Sequence, residues 1–155
     1  MRRAIDLARS AERRFGLAPI GCVIVQDGQI LAEGTNEVAL RSDPTAHAEI
    51  VAIRRASRKA GGFELRGTTI YSTLQPCGMC TMASVWARVG RIVYGAERHQ
   101  VHRMYFDVRH MDTIDFIHDA FRDDLPVTGG VLGEQCAELY FKPGDVVPED
   151  EQGNI

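Results

Sequence analysis

The sequence of 155 residues contains no apolar run near 18 residues and no stretch built like a signal peptide. A helical membrane span is therefore not expected, and the chain reads as soluble and cytoplasmic. Cysteine is scarce: there are four, and Cys22 and Cys136 stand alone. No disulfide framework is implied, and in a reducing compartment the thiols stay free to bind metal. Neither sign of charge dominates, with 18 Lys and Arg against 21 Asp and Glu and a formal net charge of −3. The general attraction to nucleic acid that a basic face provides is missing. There is no internal repeat. An apolar content of 45% with 25% charged residues over this length suits one globular domain with a proper core and no second one.

What is present is concentrated in two short segments, His47-Ala48-Glu49 and Pro76-Cys77-Gly78-Met79-Cys80. One imidazole and two thiolates suit a Zn²⁺ whose fourth position stays open to water, lowering that water's pKa from about 15.7 to about 7. Cys77 and Cys80 are one turn apart if Pro76 starts a helix there, and their sulfurs then sit at its positive end. His47 and Glu49 point roughly 200° apart on a regular helix. Both reach one centre only if a helix begins at that point, with Asp43 or Thr45 as its cap and Pro44 marking the opening turn. Glu49 is then a proton carrier beside the metal and not a ligand.

Other readings of these residues are weaker. A lone C-x-x-C also fits a redox pair, half a zinc ribbon or two buried thiols. The redox pair does not need His-Ala-Glu, and the ribbon needs a second C-x-x-C. A closed structural zinc module needs a fourth ligand, for which His99 and Cys22 are the candidates, and it gives Glu49 no purpose. Cys22 interrupts an apolar run and Cys136 lies in a helical stretch, so both read as small buried hydrophobes.

Along the chain, Ala4, Ala8, Ala11 and Phe15 recur at helical spacing. A strand through Val25 turns at Asp27-Gly28 into a second strand over 30–34. A loop over 35–44 leads into the helix of His47, which ends at Gly61-Gly62. A β-branched strand over 68–74 delivers Pro76; the helix of Cys77 and Cys80 runs to Gly90, and residues 91–96 form a fourth strand. Ile114, Ile117 and Phe121 have helical spacing, 127–131 reads as a short strand and 134–141 as a last helix. Residues 1–141 form the domain, and 142–155 an acidic, extended or disordered tail. Strands alternating with helices imply a three-layer α/β/α sandwich on a mixed sheet.

The two segments together make the pattern H-x-E…P-C-x-x-C. With Pro19-Ile20-Gly21, Gly34-Thr35-Asn36, Asp43-Pro44-Thr45-Ala46 and Trp86-Ala87-Arg88, the chain resembles the cytidine-deaminase-like zinc deaminases. Within them it is similar to the bacterial guanine deaminase and tRNA adenosine deaminase branch, from about residue 4 to residue 139. The resemblance implies a five-stranded mixed sheet with helices on both faces, one zinc per chain, and a homodimer whose site the partner completes. It implies hydrolytic release of ammonia from an amino-substituted nucleobase or nucleoside. By position it makes His47, Cys77 and Cys80 the zinc ligands and Glu49 the proton shuttle. Asn36 and the Ala48 N–H fall where the base is hydrogen-bonded, and the carbonyl of Gln75 where the leaving amine is received. From the residues alone, Asn36 is equally a turn residue.

The substrate subclass is less sharply marked. Phe106-Asp107 aligns with the Phe-Asp-Asp of guanine deaminases, with Val108 at the second acidic position. Phe106 is expected to pack against the base and Asp107 to pair with a ring N–H or amine. The segment from Gln100 to Phe106 is bulky where tRNA deaminases have a small loop, and an acidic tail stands in place of their basic C-terminal helix. A purine base such as guanine is therefore the expected substrate, with a tRNA adenosine or a cytosine compound as alternatives. His99, His102 and His110 invite a second metal site but read better as surface or pocket residues. The cluster Arg54, Arg55, Arg58 and Lys59 reads as a solvated helix face in preference to an RNA contact.

Overall fold

The computed structural model describes residues 1–15, 18–106 and 112–148, the side chains of 13–15 excepted. Helix α1 (Arg2–Phe15) precedes a hairpin of β1 (Gly21–Gln26) and β2 (Gln29–Thr35). Asp27 and Gly28 form its turn with φ of 49° and 75°, the paired positive angles that match the twist of a two-residue hairpin. A short helix α2 (Val38–Arg41) leads to α3 (Ala48–Ala60), then β3 (Thr69–Leu74), α4 (Gly78–Trp86) and β4 (Arg91–Ala96). Two single 3₁₀ turns, α5 (Thr113–Asp119), β5 (Val127–Thr128) and α6 (Gly133–Ala137) complete the described chain.

The sheet order is β2-β1-β3-β4-β5. β1 is antiparallel to both neighbours, whereas β3, β4 and β5 run parallel. This is the expected five-stranded mixed sheet. Its two faces are distinguished by what stands over the strands. A Cβ on Gly34 would lie 2.2 Å from the carbonyl oxygen of Ala48, so α3 covers that face. A Cβ on Gly21, which points the other way, would lie 2.1 Å from the carbonyl oxygen of Ala4 in α1. Cys136 of α6 stands against Gly95 on the α1 side, completing three layers. Ile24, Ile70 and Ile92, nearly inaccessible, line up across the three central strands beneath α3.

Several expected boundaries shift for local reasons. Neither Asp43 nor Thr45 caps α3: the Asp43 carboxylate accepts from the Thr45 N–H and hydroxyl at 2.8 and 2.7 Å, closing a turn of its own. His47 occupies the N-cap position instead, extended at ψ 155°. Likewise α4 starts at Gly78 and not at Pro76, with Cys77 as N-cap, and it stops at Trp86 because Arg88 turns left-handed at φ 53°. The stretch 35–44 is not all loop, since α2 lies within it. Phe121 falls outside α5 with φ 54° and is 92% exposed, so its helical spacing to Ile117 is accidental. Left-handed Gly130 and Leu132 cut β5 to two residues and precede α6, which begins at Gly133 and ends at Ala137, short of the expected 141.

Gly34 sets the distance between the sheet and the first turn of α3. Gly34→Ala is expected to push that turn outward and destabilise the protein by about 1–3 kcal/mol, seen as a lower urea midpoint. An unchanged midpoint would mean that α3 does not rest on Gly34 as closely as described.

Candidate metal centre

His47 and Cys77 are both N-cap residues, one of α3 and one of α4, and the two helices pack against each other. The chain reaches α3 from the edge strand β2 and α4 from the parallel strand β3, so both helices begin at the same end of the sheet. His47 presents Nδ1 to Cys77 Sγ at 3.8 Å. With Cys80, three residues further along α4, the three donor atoms lie within 4.8 Å of one another. Tetrahedral zinc with bonds of about 2.0 Å to nitrogen and 2.3 Å to sulfur needs donor separations of roughly 3.3–3.8 Å. The cluster meets this with a small contraction, and its donor set of one imidazole and two sulfurs is one that zinc favours.

Glu49 sits in the first turn of α3 and is 4% exposed. The Ser72 hydroxyl of β3 donates to Oε1 at 2.8 Å, and the Cys80 thiol donates to Oε2 at 3.5 Å. Burial and the negative charge of Cys77 push the Glu49 carboxyl up, while His47 and Ser72 pull the other way. The two cysteines split: a hydrogen bond from Cys80 lowers Cys77 strongly, and making that bond, together with burial, raises Cys80 far above an ordinary thiol. The Cys80 thiol thus faces two acceptors, Cys77 and Glu49, and a dication would displace its proton.

The remaining expected residues have distinct environments. Asn36, just beyond β2, is buried; its Oδ1 accepts from the Val38 N–H at 3.1 Å while Nδ2 has no hydrogen-bond partner. It is thus a turn residue with a buried donor left over. The next residue, Glu37, donates its N–H to the carbonyl of Ala46 at 2.9 Å, tying this turn to the segment that ends in His47. The Ala48 N–H opens α3, among the amides a helix does not satisfy internally. Gln75 uses its side chain to accept the Arg98 N–H at 3.1 Å, which leaves a role for its backbone carbonyl unaffected. Phe106 is buried with the Arg98 guanidinium 5.5 Å above its ring. Asp107, Val108 and His110 lie outside the described residues.

His47, Cys77 and Cys80 form the one cluster of metal-binding groups among the described residues. Neither Cys22 nor His99 supplies a fourth ligand, and His99 and His102 belong to no second cluster. Cys22 and Cys136 are buried thiols raised by desolvation, as expected of small core hydrophobes. Sequence reasoning missed Ser72. Its only signal is parity, since its strand partner is Cys22, which pairs with Gly34 under α3.

Comparison with known proteins agrees with this geometry. The family described as the cytidine and deoxycytidylate deaminase zinc-binding region matches residues 1–96, a span that holds every residue of the cluster. The tRNA-specific adenosine deaminase of Haemophilus influenzae is 38% identical over 139 residues, covering 89% of this chain and 77% of its own. The guanine deaminase of Bacillus subtilis is 41% identical over 107 residues, 69% of each chain. A solved tRNA:A34 deaminase superposes with a TM-score of 0.74 at 34% identity, covering 88% of this chain and 94% of its own.

Elemental analysis of the purified protein is expected to give about one zinc per chain. Cys77→Ser and Cys80→Ser should each lose most of it and lower the melting temperature, because metal binding and folding are coupled. Full zinc content in either variant would reject the cluster as the binding site.

Proposed function

The chain belongs to the cytidine and deoxycytidylate deaminase family, zinc-dependent hydrolytic enzymes, and we propose that it releases ammonia from a purine base or nucleoside, guanine foremost. The carrying observation is the buried Glu49, oriented by Ser72 and in contact with Cys80 of the metal cluster. His47, Cys77 and Cys80 hold the zinc, which when bound supplies the Lewis acidity that makes water a nucleophile near neutral pH. Glu49 moves the protons. It takes one from the attacking water to the ring nitrogen and the next to the amine, so that water adds, ammonia leaves and a carbonyl remains. Burial, which raises its carboxyl, favours this exchange over permanent ionisation.

The unpartnered Nδ2 of Asn36 supports its role in holding the base, since a buried donor is costly until an acceptor arrives. A ring nitrogen or carbonyl oxygen of a purine supplies one. The Ala48 N–H and the carbonyl of Gln75 complete the polar frame, Phe106 borders it, and Asp107 pairs with a ring N–H or amine. Both relatives act on purines, by their names. A tRNA substrate is the second reading, favoured by 38% identity across most of the chain. Against it stand the net charge of −3 and the engagement of half the α3 basic cluster. Arg54 bonds Asp43 and Thr45, and Arg55 bonds Glu37.

The partner proposed alongside the substrate is a second copy of this chain. α4 exposes Met79 and, seven residues on, Trp86 at 72%, with Met82 and Ala83 half-buried between them. This uncharged stripe on the helix that carries Cys80 is self-complementary across a two-fold axis. No helix among the described residues is long and apolar enough to cross a membrane.

Glu49→Gln is expected to keep zinc and fold while turnover falls by about 10²–10⁴, measured as ammonia release over guanine, adenine, cytosine, their nucleosides and an RNA hairpin. Substantial residual activity would assign the proton transfers elsewhere, and faster turnover of the hairpin or of a cytosine compound would overturn the purine-base reading. Light scattering should give twice the chain mass for the parent and a monomer for Trp86→Glu. A monomeric parent would reject the dimer.

A further inference from the structure

Beyond the metal centre, the segment after β4 folds over a cavity of about 550 Å³, within the range of small-ligand sites. Its polar lining is entirely basic: Arg98, His99, His102 and Arg103, with Phe106 as the apolar wall. No carboxylate lines it among the described residues, although the chain as a whole carries a net charge of −3. A neighbouring cavity shows the contrast, since Glu97 and Glu134 line that one. Positive charge has been gathered at one concave place on an acidic protein.

The groups are also held in position. The Arg98 guanidinium lies 5.5 Å over the Phe106 ring, which restrains it by cation–π attraction. His102 accepts the Met104 N–H at Nδ1, at 3.2 Å, so its ring proton is on Nε2. Arg103 stands in the exposed 3₁₀ turn that His102 caps and forms no ion pair among the described residues. Glu97 lies 3.3 Å from the Nδ1 of His99. Two guanidinium groups and an imidazole N–H facing one space make a recognition set for a phosphate group, which offers oxygens to forked and single donors together. One residue of the cavity lining is also tied to the segment that leads to the metal centre. The Arg98 N–H is bonded to the side chain of Gln75, two residues before Cys77.

We propose that this cavity is a phosphate subsite, and that the substrate is a purine carrying a 5′-phosphate, a nucleoside monophosphate. This rests on the proposed purine deamination and extends it: the base sits by Glu49 and Asn36, and the phosphate enters the basic cavity. A monoester is favoured over an RNA backbone because, among the described residues, these basic groups converge on one pocket.

Two measurements on the zinc-loaded protein test the proposal separately from the purine reading. In the first, inorganic phosphate is titrated by calorimetry into the parent and into Arg103→Gln and His102→Gln. Saturable binding to the parent, weakened at least about tenfold in each variant, is expected; no binding, or equal binding in all three, overturns the subsite. In the second, kcat/KM is compared for a purine nucleoside and its 5′-monophosphate. The monophosphate should be favoured about tenfold or more, with that ratio collapsing toward one in Arg103→Gln. A ratio near one in the parent, or one that survives the substitution, overturns the nucleotide assignment. So does an RNA hairpin turned over faster than the monophosphate. Should no purine be deaminated while phosphate still binds through Arg103 and His102, the purine reading falls and the subsite stands.

Discussion

The constraint on which the structure turns is the burial of too much negative charge in one place. Cys77, Cys80 and Glu49 converge beneath two helices, with Cys80 and Glu49 almost wholly buried. Each raises the cost of ionising its neighbour. Burial and the charge of Cys77 push Glu49 upward, the hydrogen bond to Cys77 and burial push Cys80 upward, and hydrogen bonds from Cys80 and His47 hold Cys77 well below an ordinary thiol. The positive ends of α3 and α4 relieve part of this, and His47 and the Ser72 hydroxyl a little more. A dication removes the remainder by taking both sulfurs as thiolates. The features that make the centre unfavourable without metal therefore make it a strong zinc site. They also keep a carboxyl next to the metal easy to protonate.

The scaffold's task is to start two helices at one point and hold them there. Gly34 lets α3 lie on β2 closely enough that its first turn, with Ala48 and Glu49, meets Ser72 of β3 from above. The loop between β2 and α3 is held by Glu37, a buried carboxylate bonded to Arg41 of α2 and, at 2.7 Å, to Arg55 of α3. A buried charge with both oxygens engaged by guanidinium groups contributes little net stability, but it accepts few alternative arrangements. Its effect is to lock the turn of Asn36 against the helix of His47. On the other side, Phe116 of α5 packs on Gly78, and the Thr113 hydroxyl donates to the carbonyl of Pro76 at 3.1 Å, bracing the start of α4.

The fold and the metal cluster were legible in the sequence because each depended on short-range signals. The hairpin followed from Asp27-Gly28 between apolar runs, and β3 from a β-branched stretch. The ligands followed from residue types whose chemistry has few other uses in that combination. Helix starts were read less well: the Asp43 carboxylate closes a turn of its own before α3, and α4 begins two residues after Pro76. Ser72 was invisible because a serine in a strand becomes functional only when a second strand fixes its face and a third segment brings Glu49 over it. The spacing of Phe121 to Ile117 misled for the opposite reason: a periodic pattern continued past the end of the helix at Asp119, to a residue that is itself left-handed.

A division of labour runs through the chain at the end of β4. The family match covers residues 1–96, which contain the zinc cluster, Glu49, Ser72, Asn36 and Gln75. In the proposed function those parts carry the reaction, and reaction chemistry tolerates little variation in donor type or distance. From Glu97 onward the described residues fold into 3₁₀ turns, short helices and the two-residue β5, with few ladder bonds, and the basic cavity lies there. Segments with little regular hydrogen bonding are free to change shape without disturbing the sheet, which is where a fold acquires selectivity. Arg98 couples the two parts, giving its N–H to Gln75 at the edge of the metal centre and its guanidinium to Phe106 in the cavity wall. A ligand in that cavity, as proposed, would lie against a residue one hydrogen bond from the segment that carries Cys77, which would join recognition to chemistry across separate stretches of sequence.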